Sequence, residues 1–409
     1  MPGPVVHCAV CKGKGAGVIA ACLGLAAACS GFLGPSLTSK PYYRDLETNR
    51  GVEPYSAWFG DSDGRILYFG LSPFWTLWWD WGGDPRADLQ ASGDHLIGRF
   101  DLLRAQFLEP LRVRSHAPEA RSSVWDVLVH SNGRIYYTTY FEEIGSVLPD
   151  GSEPTYFRGL GVGFNELYEG PRGSLFVTRY SDHPLDPERQ TFGSVAVLSP
   201  DGELLQEFRF PLEGQTFTAP KSLAVDPLSG EIWLNADIFH EDGSASYARL
   251  RLSAKGKVLE RVTSPELHFV WFDSEGLGWF AEDREGELWL RAVQRGEQLA
   301  DIPLGPRGNL DFVQDIKPLG RRRVVATLWS GRAFVASLNG TPAAREVRFK
   351  RPPDCIPPRG RSLLYTVVGY GHRLFGTLYC GATIVSAELT GNPALWHSRS
   401  DTQPGVPLR

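Results

Sequence analysis

Residues Trp125-Asp-Val-Leu-Val-His-Ser-Asn-Gly-Arg-Ile-Tyr-Tyr-Thr-Thr139 identify the architecture. Two runs rich in β-branched and aromatic residues flank Asn132-Gly133, a dipeptide that accepts the positive φ of a tight hairpin turn. A second hairpin follows at once: Gly145-Ser-Val-Leu148, a turn at Asp150-Gly151, then Glu153-Pro-Thr-Tyr-Phe157. Four short antiparallel strands in succession make one repeat, and the cadence recurs along the chain. First turns fall at Asp63-Gly64, Asn132-Gly133, Arg172-Gly173, Ser229-Gly230, Glu275-Gly276, Leu319-Gly320 and Tyr370-Gly371. Second turns fall at Asp150-Gly151, Asp201-Gly202, Lys255-Gly256, Arg295-Gly296, Asn339-Gly340 and Gly391-Asn392. A four-strand repeat whose first turns are about 40 to 69 residues apart, with unequal loops, is the signature of a β-propeller. The expected fold is therefore all-β, a propeller of four-stranded blades. The count is seven, or six or eight if the first repeat (55–114), which lacks a glycine in its second turn, is a lid or a split blade. Blades two to seven are expected to start near Ser123, Gly163, Thr218, Glu266, Leu310 and Arg359.

The 409 residues, 42% hydrophobic and 22% charged, have the composition of a packed globular protein. A net charge of -5 with no recurrent basic stripe argues against nucleic acid as a partner. Arg321-Arg322-Arg323, the tight basic run, sits beside a hairpin turn and reads as a solvated tip. No Gly-x-Ser-x-Gly, P-loop or dinucleotide-binding glycine motif occurs, so no nucleophile or nucleotide chemistry is signalled.

Residues 1–28 read as an export leader. Lys12 and Lys14 give a positive start, and an apolar run from Ala16 to Ala28 has the length of a signal-peptide core. The run ends at Ala26-Ala27-Ala28-Cys29, which resembles the lipobox of bacterial lipoproteins and implies lipidation of Cys29. Ile19-Ala20-Ala21-Cys22 is a second match, and ordinary cleavage after Ala28 would instead release a soluble secreted or periplasmic protein. Residues 29–54 are then expected as a tether and 55–409 as the propeller domain. The expected location is the bacterial cell envelope, as an outer-membrane or cell-surface lipoprotein held to the membrane by its lipid. Outside the leader only Cys355 and Cys380 remain. In an oxidising compartment they form one disulfide or stay as two buried thiols.

In such a blade the connections between the second and third strands, and those between blades, emerge on one face, and the hairpin turns lie on the other. The longest second-to-third connections, 71–94, 180–192 and 236–246, should therefore share a face, where loop variation on a rigid scaffold carries function. The first contains Phe74, Trp75, Trp78, Trp79 and Trp81, aromatic rings suited either to packing or to binding a sugar or protein surface. The others are acidic. Asp182 with His183, Asp237 with His240, and Glu282 are candidate metal or catalytic groups. Calcium or magnesium is the cation such oxygen donors hold, and no cofactor is demanded by any motif.

The segments Leu223-Ala-Val-Asp-Pro-Leu-Ser-Gly-Glu-Ile-Trp-Leu234 and Asn165-Glu-Leu-Tyr-Glu-Gly-Pro-Arg-Gly-Ser-Leu-Phe-Val177 resemble repeats of NHL-type propellers. They also resemble the neighbouring gluconolactonase and streptogramin-lyase groups. Resemblance to the lactonases implies a divalent cation on the channel axis, with Glu166 or Glu169, Asn165, Asp126 and Asp226 as its donors. No segment matches the catalytic histidine region of the streptogramin lyases. The expected function is a non-enzymatic binding protein for an envelope protein or glycan. The alternative is a metal-dependent hydrolase or lyase with its site at the channel mouth.

Overall fold

Short strands that alternate or run apolar, each ended by a turn, fold the chain into seven antiparallel sheets of four strands. The computed structural model describes residues 41–42, 56–72, 94–114, 124–139, 144–160, 163–179, 193–210, 217–239, 245–264, 269–308, 311, 313–349, 364–378 and 382–389. The first strand is β1 (Pro41–Tyr42). Blade 1 is β2 (Ser56–Ser62), β3 (Ile66–Ser72), β4 (Asp94–Asp101) and β5 (Gln106–Arg114). Blade 2 is β6 (Val124–Val129), β7 (Ile135–Thr139), β8 (Ile144–Val147) and β9 (Thr155–Phe157). Blade 3 is β10 (Phe164–Glu169), β11 (Leu175–Arg179), β12 (Gly193–Leu198) and β13 (Leu204–Phe210). Blade 4 is β14 (Phe217–Val225), β15 (Ile232–Phe239), β16 (Ala245–Leu252) and β17 (Val258–Ser264). Blade 5 is β18 (Phe269–Phe272), β19 (Leu277–Arg284), β20 (Glu287–Gln294) and β21 (Glu297–Pro306). Blade 6 is β22 (Val313–Pro318), β23 (Arg323–Leu328), β24 (Arg332–Ser337) and β25 (Ala343–Arg348). Blade 7 is β26 (Leu364–Tyr370), β27 (Arg373–Leu378) and β28 (Thr383–Glu388), joined by β1.

The protein is thus a seven-bladed β-propeller. Its ring closes with an N-terminal strand as the outermost strand of the last blade: Pro41 lies opposite Val385 and Tyr42 opposite Ile384. Residues 41–42 fall in the stretch expected as a tether, so that stretch contributes a strand to the ring. The turn expected at Gly391-Asn392 lies outside the described residues.

A hydrophobic core fills every seam between neighbouring blades, because each sheet is apolar on both faces and must bury both. Leu67, Phe69 and Phe100 of blade 1 meet Phe375 and Ile384 of blade 7 across the closing seam. Ile97 and Val113 meet Val127 and Ile135 across the next. The seam between blades 5 and 6 holds the largest cluster, with Trp279 and Leu290 against Ile316 and Phe334. Between blades 4 and 5 the filling is aromatic: Trp233 packs edge-on to Phe280 at 5.1 Å, with the Arg249 and Arg251 guanidiniums over the Trp233 ring.

The turn glycines do more than reverse the chain. Gly256, at φ +78°, lies over the Phe208 ring of the preceding blade's outer strand, where an added Cβ would come within 1.9 Å of Cδ1. Gly202 receives Phe157 in the same way. Gly296 has a similar φ of +80° but open space around it. Gly256→Ala is therefore expected to destabilise the protein by about 3 kcal/mol, left-handed strain plus overpacking, and Gly296→Ala by about 1 kcal/mol from strain alone. Chemical denaturation of the two variants measures the difference. The second turn of blade 1 escapes a glycine search because Ala105 takes the left-handed position, at φ 52°. Asp101 Oδ1 holds that turn by accepting the Arg104 amide at 2.9 Å.

Candidate functional site

The innermost strands line an axial channel, and they share a local irregularity that aims polar groups into it. Each of β2, β6, β10, β14, β22 and β26 carries one extra residue where the register against the second strand slips, near the start in all but β14, where it is in the middle. Such bulges re-aim side chains and leave a backbone amide outside the ladder. Two residues after an apolar anchor, four of these strands place a polar group: Val124-Trp-Asp126, Phe164-Asn-Glu166, Val313-Gln-Asp315 and Leu364-Tyr-Thr366. Buried threonines of the second strands face them, as Asp126 opposite Thr138 and Asp315 opposite Thr327. Thr178 and Thr377 accept the amides of Glu166 and Thr366 at 3.0 and 3.1 Å.

These groups bond from blade to blade. The Thr366 hydroxyl of blade 7 donates to Asp315 Oδ2 of blade 6 at 2.9 Å and accepts the Gly60 amide of blade 1 at 3.2 Å. Asp61 of blade 1 accepts the Val129 amide of blade 2 at 3.1 Å. Asp126 of blade 2 accepts the Leu167 amide of blade 3 at 2.8 Å. The Tyr168 hydroxyl continues the series, donating to the Val225 and Phe272 carbonyl oxygens of blades 4 and 5 at 3.4 and 3.2 Å. The Gly60 and Leu167 amides, which lie at bulges, are thereby satisfied inside the protein.

Lys317 stands among these carboxylates, its Nζ 3.9 Å from Asp315 Oδ1 and its side chain 22% exposed, which places it on the channel rather than in a dry core. Burial opposes its charge, but attraction to Asp315, Asp61, Asp126 and Glu166 outweighs that and holds the ammonium above the ordinary lysine range. Burial pushes the Asp126 carboxyl up to about 7 against the pull of Lys317 and two amides. Asp315 is pushed up to about 6 and Asp61 is raised, in both cases by burial first.

On the side of the inner-strand starts, the channel is filled by aromatic rings. The residue after the anchor in blades 1, 2 and 7 is Trp58, Trp125 and Tyr365. Trp58 stacks on Trp125 at 4.4 Å and lies 4.8 Å from Tyr365, with Phe59 edge-on to Tyr365 at 5.2 Å. This is the end from which the second-to-third strand connections leave.

Of the expected site residues, Glu166 and Asp126 reach the channel. Glu169 instead accepts the Ser131 amide at 2.9 Å, and Asp226 holds its own hairpin turn through Leu228 and Ser229. The Asn165 carbonyl oxygen accepts from Thr138 at 2.6 Å. Glu282 lies on β19 amid arginines, bonded to Arg291 at 2.5 Å and Arg284 at 2.9 Å, with Arg249 at 3.6 Å. Its neighbour Asp283 pairs with Arg307. Asp237 lies in β15 opposite Tyr247, at the end facing the long connections. Cys29, Phe74, Trp75, Trp78, Trp79, Trp81, Asp182, His183, His240, Cys355 and Cys380 lie outside the described residues. Among the described residues, no three His, Cys, Asp or Glu side chains converge as a metal site. Asp61, Asp315, Lys317 and Thr366 are the channel groups that turn-counting passes over. The apolar-x-polar pattern at the blade starts is the signal that marks two of them, Asp315 and Thr366, as it marks Asp126 and Glu166.

No protein-family profile and no curated protein sequence matches this chain. Solved structures share its fold. A catalytically inactive virginiamycin B lyase from Staphylococcus aureus, solved with quinupristin, aligns over 86% of this chain and 100% of its own at 13% identity, with a TM-score of 0.51. A chain of the mitotic checkpoint complex aligns over 86% and 94% at 7% identity, also with a TM-score of 0.51. A structural-genomics protein described as a gluconolactonase aligns over 87% and 93% at 14% identity, with a TM-score of 0.42. For the first two, at these identities, the likeness is one of fold.

Proposed function

We propose that this protein is an exported, lipid-anchored propeller that binds an envelope protein or glycan through the face bearing its long connections, and that it is not an enzyme. The observation that carries the reading is the use of the channel. Asp61 and Asp126 divide their carboxylate oxygens between an amide of their own strand and one of the next blade, Asp315 and Thr366 bond to each other across a seam, and Lys317 is attracted by the carboxylates. Groups tied in this way hold the ring together and leave recognition to the periphery. The connections 73–93, 180–192 and 240–244 all join a second strand to a third, so they share one end of the ring. The first brings four tryptophans and a phenylalanine, the residue types that dominate binding hot spots.

Replacing Trp75, Trp78 and Trp79 together by alanine tests the reading. Binding of the purified full-length chain to a glycan array, and its crosslinks to envelope proteins in the producing cell, should fall by about tenfold or more. The unfolding midpoint should move by less than about 3 °C, about the equivalent of one exposed contact. A collapse of folding would assign the rings to the core. A stoichiometric divalent ion lost on Asp237→Asn would favour a metal-dependent hydrolase instead.

A further inference from the structure

Among the described residues, the terminal strand that completes the last blade is short. β1 adds two residue pairs to blade 7, whereas each other blade builds all four strands from one continuous stretch of chain. A strand of two residues supplies very few backbone hydrogen bonds, each of small net value. The inside of the ring is different. Across the seams from blade 6 through blades 7, 1 and 2 to blade 3, inner strands are bonded by Thr366 to Asp315, Gly60 to Thr366, Val129 to Asp61 and Leu167 to Asp126. These contacts join residues as much as 306 positions apart, from the two ends of the ring.

Three of the bridging groups are carboxylates, and with Glu166 they gather four acidic side chains about one channel. Buried like charges repel, and a buried charge left without its partner is costly. Lys317, on the inner strand of blade 6 with its Nζ 3.9 Å from Asp315 Oδ1, is the cation whose field all four share.

We infer that the ring is closed from within: Lys317, the carboxylates of Asp61, Asp126, Glu166 and Asp315, and the bridging hydroxyl of Thr366 form an axial latch that carries cohesion across the closure seams more than the terminal strand does. The latch depends on charge balance, since ionised acceptors repel one another and the ammonium offsets that repulsion. It operates whatever the outer face binds.

The test compares inside with outside in the full-length chain at neutral pH, by thermal unfolding and amide hydrogen exchange. Lys317→Met keeps the length of the side chain and removes its charge. It should lower the unfolding midpoint by about 10 °C or more and speed exchange of the Gly60, Val129 and Leu167 amides about a hundredfold. Adding Asp315→Asn should recover part of both losses, which a mere packing defect would not allow. Tyr42→Pro, which removes an amide from β1, should shift the midpoint by no more than about 3 °C. If Lys317→Met does not fold, Thr366→Val serves in its place, with exchange at Gly60 about tenfold faster and a larger midpoint shift than Tyr42→Pro. A larger loss from Tyr42→Pro than from the channel variant, or a deeper loss on adding Asp315→Asn, would overturn the inference.

Discussion

Trp58→Ala is expected to cost about 4 kcal/mol, at the upper end of what a single truncation in a protein core costs. The side chain is 2% exposed, and its ring is shared by three blades. It stacks on Trp125 of blade 2 at 4.4 Å and touches Tyr365 of blade 7 at 4.8 Å, while itself belonging to blade 1. Truncation removes the transfer energy of an indole and leaves a cavity whose walls are rings fixed on separate sheets, so the site cannot collapse to fill it. Offset aromatic pairs add about 1 kcal/mol beyond area burial. The unfolding midpoint should fall by about 10 °C. Trp289→Ala is the comparison: that ring is half-buried on one blade under Arg284 at 5.0 Å, and its loss should cost about 1 kcal/mol. Equal losses in the two variants would show that the cluster at the channel does not bind the blades together.

Stability is expected to fall as the pH rises through neutrality. A carboxyl whose pKa is raised by folding holds its proton more tightly in the folded state. Its contribution is complete below the unfolded value and disappears as the pH reaches the folded one. For Asp126 and Asp315 the window runs from the ordinary 3.8 up to about 7 and about 6. Lys317 is shifted upward from 10.5, so its contribution is complete throughout that window and fades only in strong alkali. A tenfold change in proton affinity is worth about 1.4 kcal/mol, and the carboxylates share one ammonium, so their separate contributions do not simply add. The unfolding free energy at about pH 8 should thus lie about 2 kcal/mol or more below that at about pH 5, and Asp126→Asn should flatten the profile. Denaturant titrations showing level or rising stability across that range would refute the charge assignment.

The fold was legible because its signals are local. Each glycine turn read from the sequence and falling among the described residues lies between two paired strands, as Asn132-Gly133 does between β6 and β7. Blade boundaries followed from the same turns. Ring closure was not legible, because the pairing of Tyr42 with Ile384 joins the two ends of the chain and a two-residue strand has no periodicity. The channel was legible in part. Asp126 and Glu166 stand out through resemblance, but Asp61, Asp315, Lys317 and Thr366 are single polar residues on separate strands, brought together only when the ring closes. Glu282 reads as a loop ligand because acidic pairs usually mark solvated loops, yet three arginines from two blades claim it. An isolated sequence gives an acid's position and not the partners that reach it from other blades.

The molecule thus divides into a channel that holds the ring and a face proposed to bind. The decisive quantity is the affinity of the purified protein for the partner that its long-connection face captures, measured side by side for Thr366→Val and for the Trp75, Trp78 and Trp79 alanine variant. The channel variant should lose stability yet bind within about twofold of the wild type, while the aromatic variant should keep its stability and lose about tenfold or more in affinity. Loss of binding in the channel variant with full binding in the aromatic one would refute that division of labour.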